Sequence, residues 1–302
     1  MLSLFLAYAL CFLLSLLFSW NNSSLFISGL VTSNITRFRY SVIFTATSMF
    51  AGLIIEGWKM NPYRLITFDS FMIPIVAIPV TLSLCSVLAV PVSISSISVA
   101  SLIGASLSLN IPISQFFLSI TFLAWLLTPL AAMYLTQAMY LAMVKLFSFI
   151  KINSVYFFTR LTIYLTTFYG AYTISANNLG FILSMVAEDY RLTYPIAFLG
   201  ILIGASIFSE KISYVIGERL AILSPLKLSS SLLSSSILLW ILTQIGIPAA
   251  LTQIMLGGLI GAALSSPISI INVRLLKKLI GSWIATFLLG ILLSYMLGIL
   301  LK

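Results

Sequence analysis

Two asparagine pairs and two polar stretches recur in this chain at a nearly constant spacing. Asn21-Asn22 and Asn177-Asn178 each follow an apolar run, and 156 positions separate the two pairs. The stretch from Pro91 to Ser96 has its echo in the stretch from Pro248 to Gln253, at a spacing of 157. Polar residues that interrupt apolar spans at corresponding places in two halves are a sequence sign of a transporter's binding site.

These residue types suit the binding of a small anion. An asparagine amide offers a donor and an acceptor, and a serine offers a hydroxyl. Proline favours the first turn of a helix, so we expect a helix to begin after Pro91. Helix starts carry unpaired N–H groups and a partial positive charge, and two of them, one from each half, would surround a tetrahedral oxyanion with donors. The candidate substrate-binding residues are Asn21, Asn22, Ser93, Ser95, Ser96, Asn177, Asn178, Thr252 and Gln253.

A second interpretation of these polar residues stays open. Serine, threonine and asparagine side chains also join membrane helices to one another without binding anything. Repetition of the whole pattern favours the binding site over this structural role.

The composition predicts a multi-pass integral protein of the cell membrane. Hydrophobic residues make up 61% of the 302 residues and charged residues only 7%, far from the balance of a soluble domain. Fifteen basic residues against six acidic ones give a net charge of +9. The basic residues are scattered between apolar runs, which indicates contact with membrane lipids and argues against nucleic acid.

The predicted fold is all-α and polytopic, with about ten transmembrane or re-entrant helical segments in two repeats of inverted topology, residues 1–150 and 151–302. Two serine-, glycine- and alanine-rich pieces that open with proline, Pro91–Leu109 and Pro248–Ser265, are expected inside the bundle as re-entrant or broken helices. The other expected spans are Leu2–Trp20, Ser41–Gly57, Phe71–Val90, Phe116–Val144 (broken at Pro129), Val155–Ser175, Thr193–Phe208, Leu226–Leu242 and Leu275–Leu301.

Few residues could carry proton or metal chemistry. Glu56 and Glu210 occupy matched places and are the candidates for ion coupling, since an acid within a span is a functional candidate. Each also precedes a lysine, so an interfacial ion pair is the alternative. The chain has no histidine, and Cys11 and Cys85 have no metal-binding spacing. We therefore expect no metal site, no cofactor and no enzyme activity.

At these motifs the chain resembles the inorganic phosphate transporter (PiT) family, whose two inverted repeats each carry a Gly-Ala-Asn-Asp-Val-Ala-Asn-type signature and a later Pro-Val-Ser-Thr-Thr-His-type hairpin. Ser175–Gly180 and, more loosely, Ser19–Ser24 are similar to the first motif. Pro91–Ser96 and Pro248–Gln253 are similar to the second, with Ser96 and Gln253 where histidine is usual. The resemblance implies transport of inorganic phosphate by alternating access and spans almost the whole chain.

Two departures from the family motif concern the coupling ion. Asn22 and Asn178 stand where the family has the aspartates that the resemblance implicates in sodium coordination. Loss of both charges argues against sodium coupling, so the coupling ion is left open between H⁺ and Na⁺. The alternative function is that of a related sulfate permease. A non-transporting membrane assembly subunit is a further alternative, and a homodimer is a further expectation.

Overall fold

The computed structural model describes residues 2–67, 71–87, 92–186, 190–219, 224–265 and 273–301, with the side chains at 2–4, 86–87, 190–191, 208–219 and 275 excepted. Every regular element in these ranges is helical, so the all-α prediction is confirmed. The helices are α1 (Leu2–Thr32), α2 (Phe38–Glu56), α3 (Met72–Val87), α4 (Ile94–Leu109), α5 (Gln115–Ser148), α6 (Ile152–Ile174), α7 (Gly180–Leu183), α8 (Tyr190–Arg219), α9 (Pro225–Gln244), α10 (Leu251–Leu264) and α11 (Val273–Leu300).

The chain is a multi-pass integral membrane protein. Within the described ranges, five helices are long and apolar enough to cross a membrane. Helices α4 and α10 have only 16 and 14 residues. At ~1.5 Å per residue they reach roughly 24 and 21 Å, short of the ~30 Å hydrocarbon core. These are the two pieces that the sequence places on short internal helices.

Two predicted helix breaks are wrong. Helix α1 continues without interruption through Asn21 and Asn22 to Thr32, because a buried asparagine can bond a carbonyl of its own helix. Helix α5 continues through Pro129. Proline removes one helical hydrogen bond, which a membrane helix tolerates when neighbouring helices support it.

At the second asparagine pair the helix is widened rather than broken. Residues Ser175–Leu179 form a π-helical turn that joins α6 to α7. Counting this stretch as one helix gives ten helical segments over the described residues, as the sequence predicts. A π turn inserts an extra residue into a helix and is frequently found at functional sites.

The most extensive helix contacts join the first half of the chain to the second. Helix α1 packs on α8, α4 on α11, and α5 on α10. The contacts come in matched sets: α4 on α11 corresponds to α10 on α5, and α1 on α8 to α6 on α2. This is the pattern that two equivalent, interlocked halves would produce. The boundary at 150/151, between α5 and α6, and the inverted orientation of the halves stay predictions.

Glycines allow two of these helix pairs to approach closely. A Cβ atom at Gly257 or Gly261 of α10 would lie about 2 Å from the carbonyl oxygen of Pro129 or Met133 on α5. Small residues four apart let helix backbones touch in membranes. The same spacing on α8, at Gly200 and Gly204, meets α1. The residues from Ile94 to Leu102 of α4 are all buried, so the start of this helix lies inside the bundle.

Candidate anion-binding site

Helix α4 begins where the sequence predicts. Ser93 is its N-cap: its hydroxyl oxygen accepts from the backbone N–H of Ser96 at 3.4 Å and from the Ser96 hydroxyl at 2.8 Å. Such a cap fixes the helix start and leaves the other N–H groups of the first turn directed outward. Helix α10 begins after Ala250, an N-cap residue that makes no side-chain hydrogen bond to the helix.

A short linker between α9 and α10, residues 245–250, positions the second helix start. Gly246 adopts φ +74°, a conformation that glycine accommodates without strain. Residues 246–250 of this linker are buried, whereas Ile245 is half-exposed. We call residues 245–250 the α10 linker.

The starts of α4 and α10 meet at Ser95. The Ser95 hydroxyl lies 2.9 Å from the Ala249 carbonyl oxygen, next to the N-cap of α10. It also lies 2.9 Å from the side-chain amide of Asn178 in the π turn. Ser95 and Asn178 are 2% and 3% exposed. Residues from both halves thus converge on one buried point.

Hydrogen-bond chemistry decides how these three groups share protons. One hydroxyl has one proton and cannot serve two acceptors fully. If the Asn178 amide donates through Nδ2 to the Ser95 hydroxyl oxygen, Ser95 can donate to the Ala249 carbonyl, and all three groups are paired. The hydrogen-bond network decides which end of an asparagine amide is nitrogen and which is oxygen. Here it favours the orientation in which Nδ2 of Asn178 faces Ser95.

Asn177 holds the α10 linker in place. Its Nδ2 donates to Thr243 Oγ1 and to the Ile247 carbonyl, each at 3.0 Å. Its Oδ1 accepts from the Ala249 N–H at 2.9 Å. The side chain is completely buried, and both amide protons are used. This geometry suits a residue that positions the linker.

The remaining predicted site residues differ in their placement. Asn22 is buried and donates to the Phe18 carbonyl of its own helix at 2.9 Å, whereas Asn21 is exposed. Among the described contacts none joins Asn22 to Ser95 or Asn178. The linker equivalent to 245–248 in the first half is 88–91, which lies outside the described residues. Thr252 and Gln253 are in the first turn of α10 and partly buried.

Glu56 takes part in a network at the surface. It forms an ion pair with Lys59, 3.3 Å between Nζ and Oε1. It also accepts from Trp240 Nε1 at 3.2 Å and from Gln244 Nε2 at 3.0 Å. The prediction of an ion pair at a span end is therefore met for Glu56. Glu210 lies in α8, but its side chain is outside the described part.

An apolar cleft opens beside the two helix starts. Its volume is about 630 Å³, and its polar lining residues are Ser96 and Gln253. Pairs of lining residues are 157 or 158 positions apart: Ser96 with Gln253, Trp125 with Trp283, and Leu126 with Ile284. The cleft therefore lies where equivalent parts of the two halves face each other.

Three contributors to the site were missed by sequence reasoning. Trp125 Nε1 donates to the Pro248 carbonyl at 2.8 Å, Thr243 bonds Asn177, and the Met60 sulfur lies 3.6 Å from Asn177 Nδ2. The spacing of 158 between Trp125 and Trp283 was a usable signal for the first. Thr243 and Met60 carry no pattern that distinguishes them from other apolar-span residues.

Comparison with known proteins points in one direction. Residues 176–294 match the phosphate transporter family, from the asparagine pair into α11. A protein of Methanocaldococcus jannaschii named "Putative phosphate permease" is 24% identical over 181 residues, 58% of each chain. One of Chlamydia muridarum with the same name is 26% identical over 140 residues, 42% of this chain and 33% of that protein. The matched region is thus little more than half of the archaeal relative's length, and less of the chlamydial one.

A solved structure described as "The sodium-dependent phosphate transporter" has the same fold. The TM-score is 0.81 at 14% identity, over 100% of this chain and 99% of that one. The structural similarity covers both halves of the chain, whereas the sequence match to the family lies in the second half. The resemblance of this chain to the phosphate transporter family is therefore confirmed by sequence over residues 176–294, and its fold matches that of the solved transporter over its whole length.

Proposed function

We propose that this protein is a secondary transporter that moves inorganic phosphate across the membrane by alternating access. The observation that carries the proposal is the meeting of the α4 and α10 starts at Ser95, beside Asn178. Two helix starts directed at one buried point supply N–H donors and two partial positive charges to an anion. The names of the relatives and of the solved structure support phosphate over sulfate.

Within this proposal the polar residues have different roles. Ser95, Ser96, Asn178 and the first-turn N–H groups of both helices contact the anion. Asn177 and Trp125 position the α10 linker, since their donors are bonded to its carbonyls. Asn22, Thr252 and Gln253 complete the site from the first half and from α10. A neutral site of this kind suits a dianion, because it needs no proton from the ligand.

Sodium would be a co-transported substrate. Among the described residues no group of three acidic or cysteine side chains could hold a metal ion, and the cluster offers hydroxyl, amide and carbonyl oxygens only. We propose that coupling to sodium is weak or lost, with a proton as the alternative partner. We further propose that the protein forms a homodimer, which crosslinking in native membranes would test.

The deciding experiment is uptake of radiolabelled phosphate into proteoliposomes that contain only this chain. We expect uptake above that of protein-free liposomes, with excess unlabelled phosphate competing and sulfate competing poorly. If the liposomes take up sulfate in preference to phosphate, the proposed substrate is wrong and sulfate takes its place. Absence of uptake of either anion by correctly folded protein would contradict transport and favour an assembly subunit.

A further inference from the structure

The α10 linker is bonded on two sides, and only one side belongs to the candidate site. On the inner side Asn177 bonds Ile247 and Ala249, and Ser95 bonds Ala249. On the outer side Arg64 Nη1 donates to the Ile245 carbonyl at 2.6 Å. Because the linker is bonded both to the candidate site and to the surface, a change of contacts on one side can move the residues on the other.

Beside the Arg64–Ile245 bond, three further side chains at the surface are bonded to one another. Lys59 Nζ donates to Gln244 Oε1 at 2.6 Å and pairs with Glu56, while Gln244 Nε2 donates to Glu56 Oε2 at 3.0 Å. We call Glu56, Lys59, Arg64 and Gln244 the outer network. Arg64 and Gln244 are exposed, so the network lies at the surface where α2 and α9 end.

A buried layer separates the outer network from the candidate site. Met60, directly after Lys59, is 1% exposed and its sulfur faces Asn177. Beside it Gly57 and Gly180 touch through their backbones, since a Cβ at Gly180 would lie 2.6 Å from the Gly57 oxygen. The Arg64 guanidinium lies against Gly246 in the same way, 2.7 Å from where its Cβ would be. This end of the site is closed.

We propose that the outer network is a gate on this side of the site, and that Arg64 is the first residue to bind the incoming anion. The inference rests on the proposed function. Arg64 is bonded to a neutral acceptor, the Ile245 backbone carbonyl, whereas Lys59 is already paired with the Glu56 carboxylate. An oxyanion is a stronger acceptor for Arg64 than this carbonyl, because charge-assisted hydrogen bonds exceed neutral ones and a guanidinium can bind an oxyanion through two N–H groups. Transfer of Arg64 to the anion releases Ile245, and the α10 linker can then move away from Asn177.

The test measures access to Met60 by alkylation. In a background with Cys11→Ala and Cys85→Ala, the variant Met60→Cys is treated with a membrane-impermeant thiol reagent. We expect slow labelling, an increase of about tenfold or more on addition of Arg64→Gln, and little change with Arg39→Gln. Arg39 is an exposed arginine near the other end of α2, so the control removes the same charge. Added phosphate should speed labelling with Arg64 present and not with Arg64→Gln.

The outcomes separate the gate from the substrate. Equal labelling with Arg64 and Arg64→Gln overturns the gate. Faster labelling with Arg64→Gln in a protein that neither binds nor transports phosphate supports the gate and contradicts the proposed substrate. If the Met60→Cys variant does not fold, the labelling test is replaced by a measurement of backbone hydrogen exchange at residues 245–250. That measurement uses the chain without the cysteine substitutions. Exchange there must rise with Arg64→Gln and stay unchanged with Arg39→Gln.

Discussion

The Ser95 hydroxyl on α4 lies 2.9 Å from the side-chain amide of Asn178 in the π turn, although 83 residues separate them in sequence. The first short helix of one half is thereby bonded to the asparagine pair of the other. This contact places a hydroxyl, an amide and two helix starts around one point, and most of the predictions below depend on it.

Ser95→Ala should weaken phosphate binding by about 5- to 150-fold. With phosphate bound, loss of the hydroxyl leaves part of the anion without a hydrogen-bond donor, at a cost of about 1–3 kcal/mol. The measurement is phosphate affinity by calorimetry on purified protein. Ser98→Ala is the matched control, because Ser98 is a buried serine of the same helix that bonds only the Ile94 carbonyl in the described contacts. If the two variants bind phosphate with equal affinity, Ser95 does not contact the anion.

Asn177→Asp should abolish most uptake and lower thermal stability. The two side chains are nearly equal in size, but a carboxylate cannot donate to Thr243 or Ile247. It also adds a buried charge. Uptake and the melting temperature in detergent are the measurements. Asn153→Asp, on an exposed position of α6, makes the same chemical change at the surface and should leave both nearly unaltered. Normal uptake by Asn177→Asp would show that linker position is not set by this amide.

Replacing sodium by potassium or choline at constant ionic strength should reduce uptake less than tenfold. A hard cation prefers carboxylate or carbonyl oxygens, and asparagine stands at positions 22 and 178. Asn178→Asp is the companion variant. The new carboxylate can only accept a hydrogen bond, so Ser95 must donate to it and no longer donates to the Ala249 carbonyl. The negative charge also repels a dianion. We expect weaker phosphate affinity without sodium. A parent protein whose uptake falls tenfold or more without sodium would refute the neutral-site argument.

Gly180→Ala should destabilise the protein by about 1–3 kcal/mol, the usual cost of overpacking. The added methyl group would lie 2.6–3.0 Å from three backbone atoms of Gly57, and backbone cannot move aside as a side chain can. Gly281→Ala is the control, since nothing lies within 4 Å of a Cβ there and alanine favours helix. Thermal unfolding in detergent compares them. A Gly180→Ala protein as stable as Gly281→Ala would mean that the Gly57 contact is loose.

The repeated spacing agrees with the structure in two particulars. Pro91 and Pro248 do precede two short internal helices, and Ser95 and Asn178 do meet. Spacing succeeds here because a duplicated chain places corresponding residues at corresponding positions. It could not show that Asn177 would bond the linker while Asn178 bonds Ser95, because neighbouring residues in a π turn point in directions that sequence does not specify.

The helix breaks were predicted less well for a related reason. Local preference alone predicts breaks at Pro129 and Asn22. In the fold, Pro129 lies against Gly257 of α10, and packing outweighs the lost hydrogen bond. Of the outer network, sequence reasoning offered only the Glu56–Lys59 pair. It could not find the contact of Arg64 with Ile245, because these residues are 181 positions apart and bond through a backbone carbonyl, which has no sequence signal.

The pairing of α4 with α11 bears on how the protein is made. The Ser294 hydroxyl of α11 donates to the Ser101 carbonyl of α4 across 193 residues, so α11 is synthesised long after α4. At roughly 5–20 residues per second, the ribosome needs about 10–40 s to reach the covering residues after completing α4. Throughout that interval the serine-rich helix that carries Ser95 has no permanent neighbour on this face. This face of α4 is therefore covered only after α11 has been made, and any factor that protects nascent α4 in the membrane would determine how much protein matures.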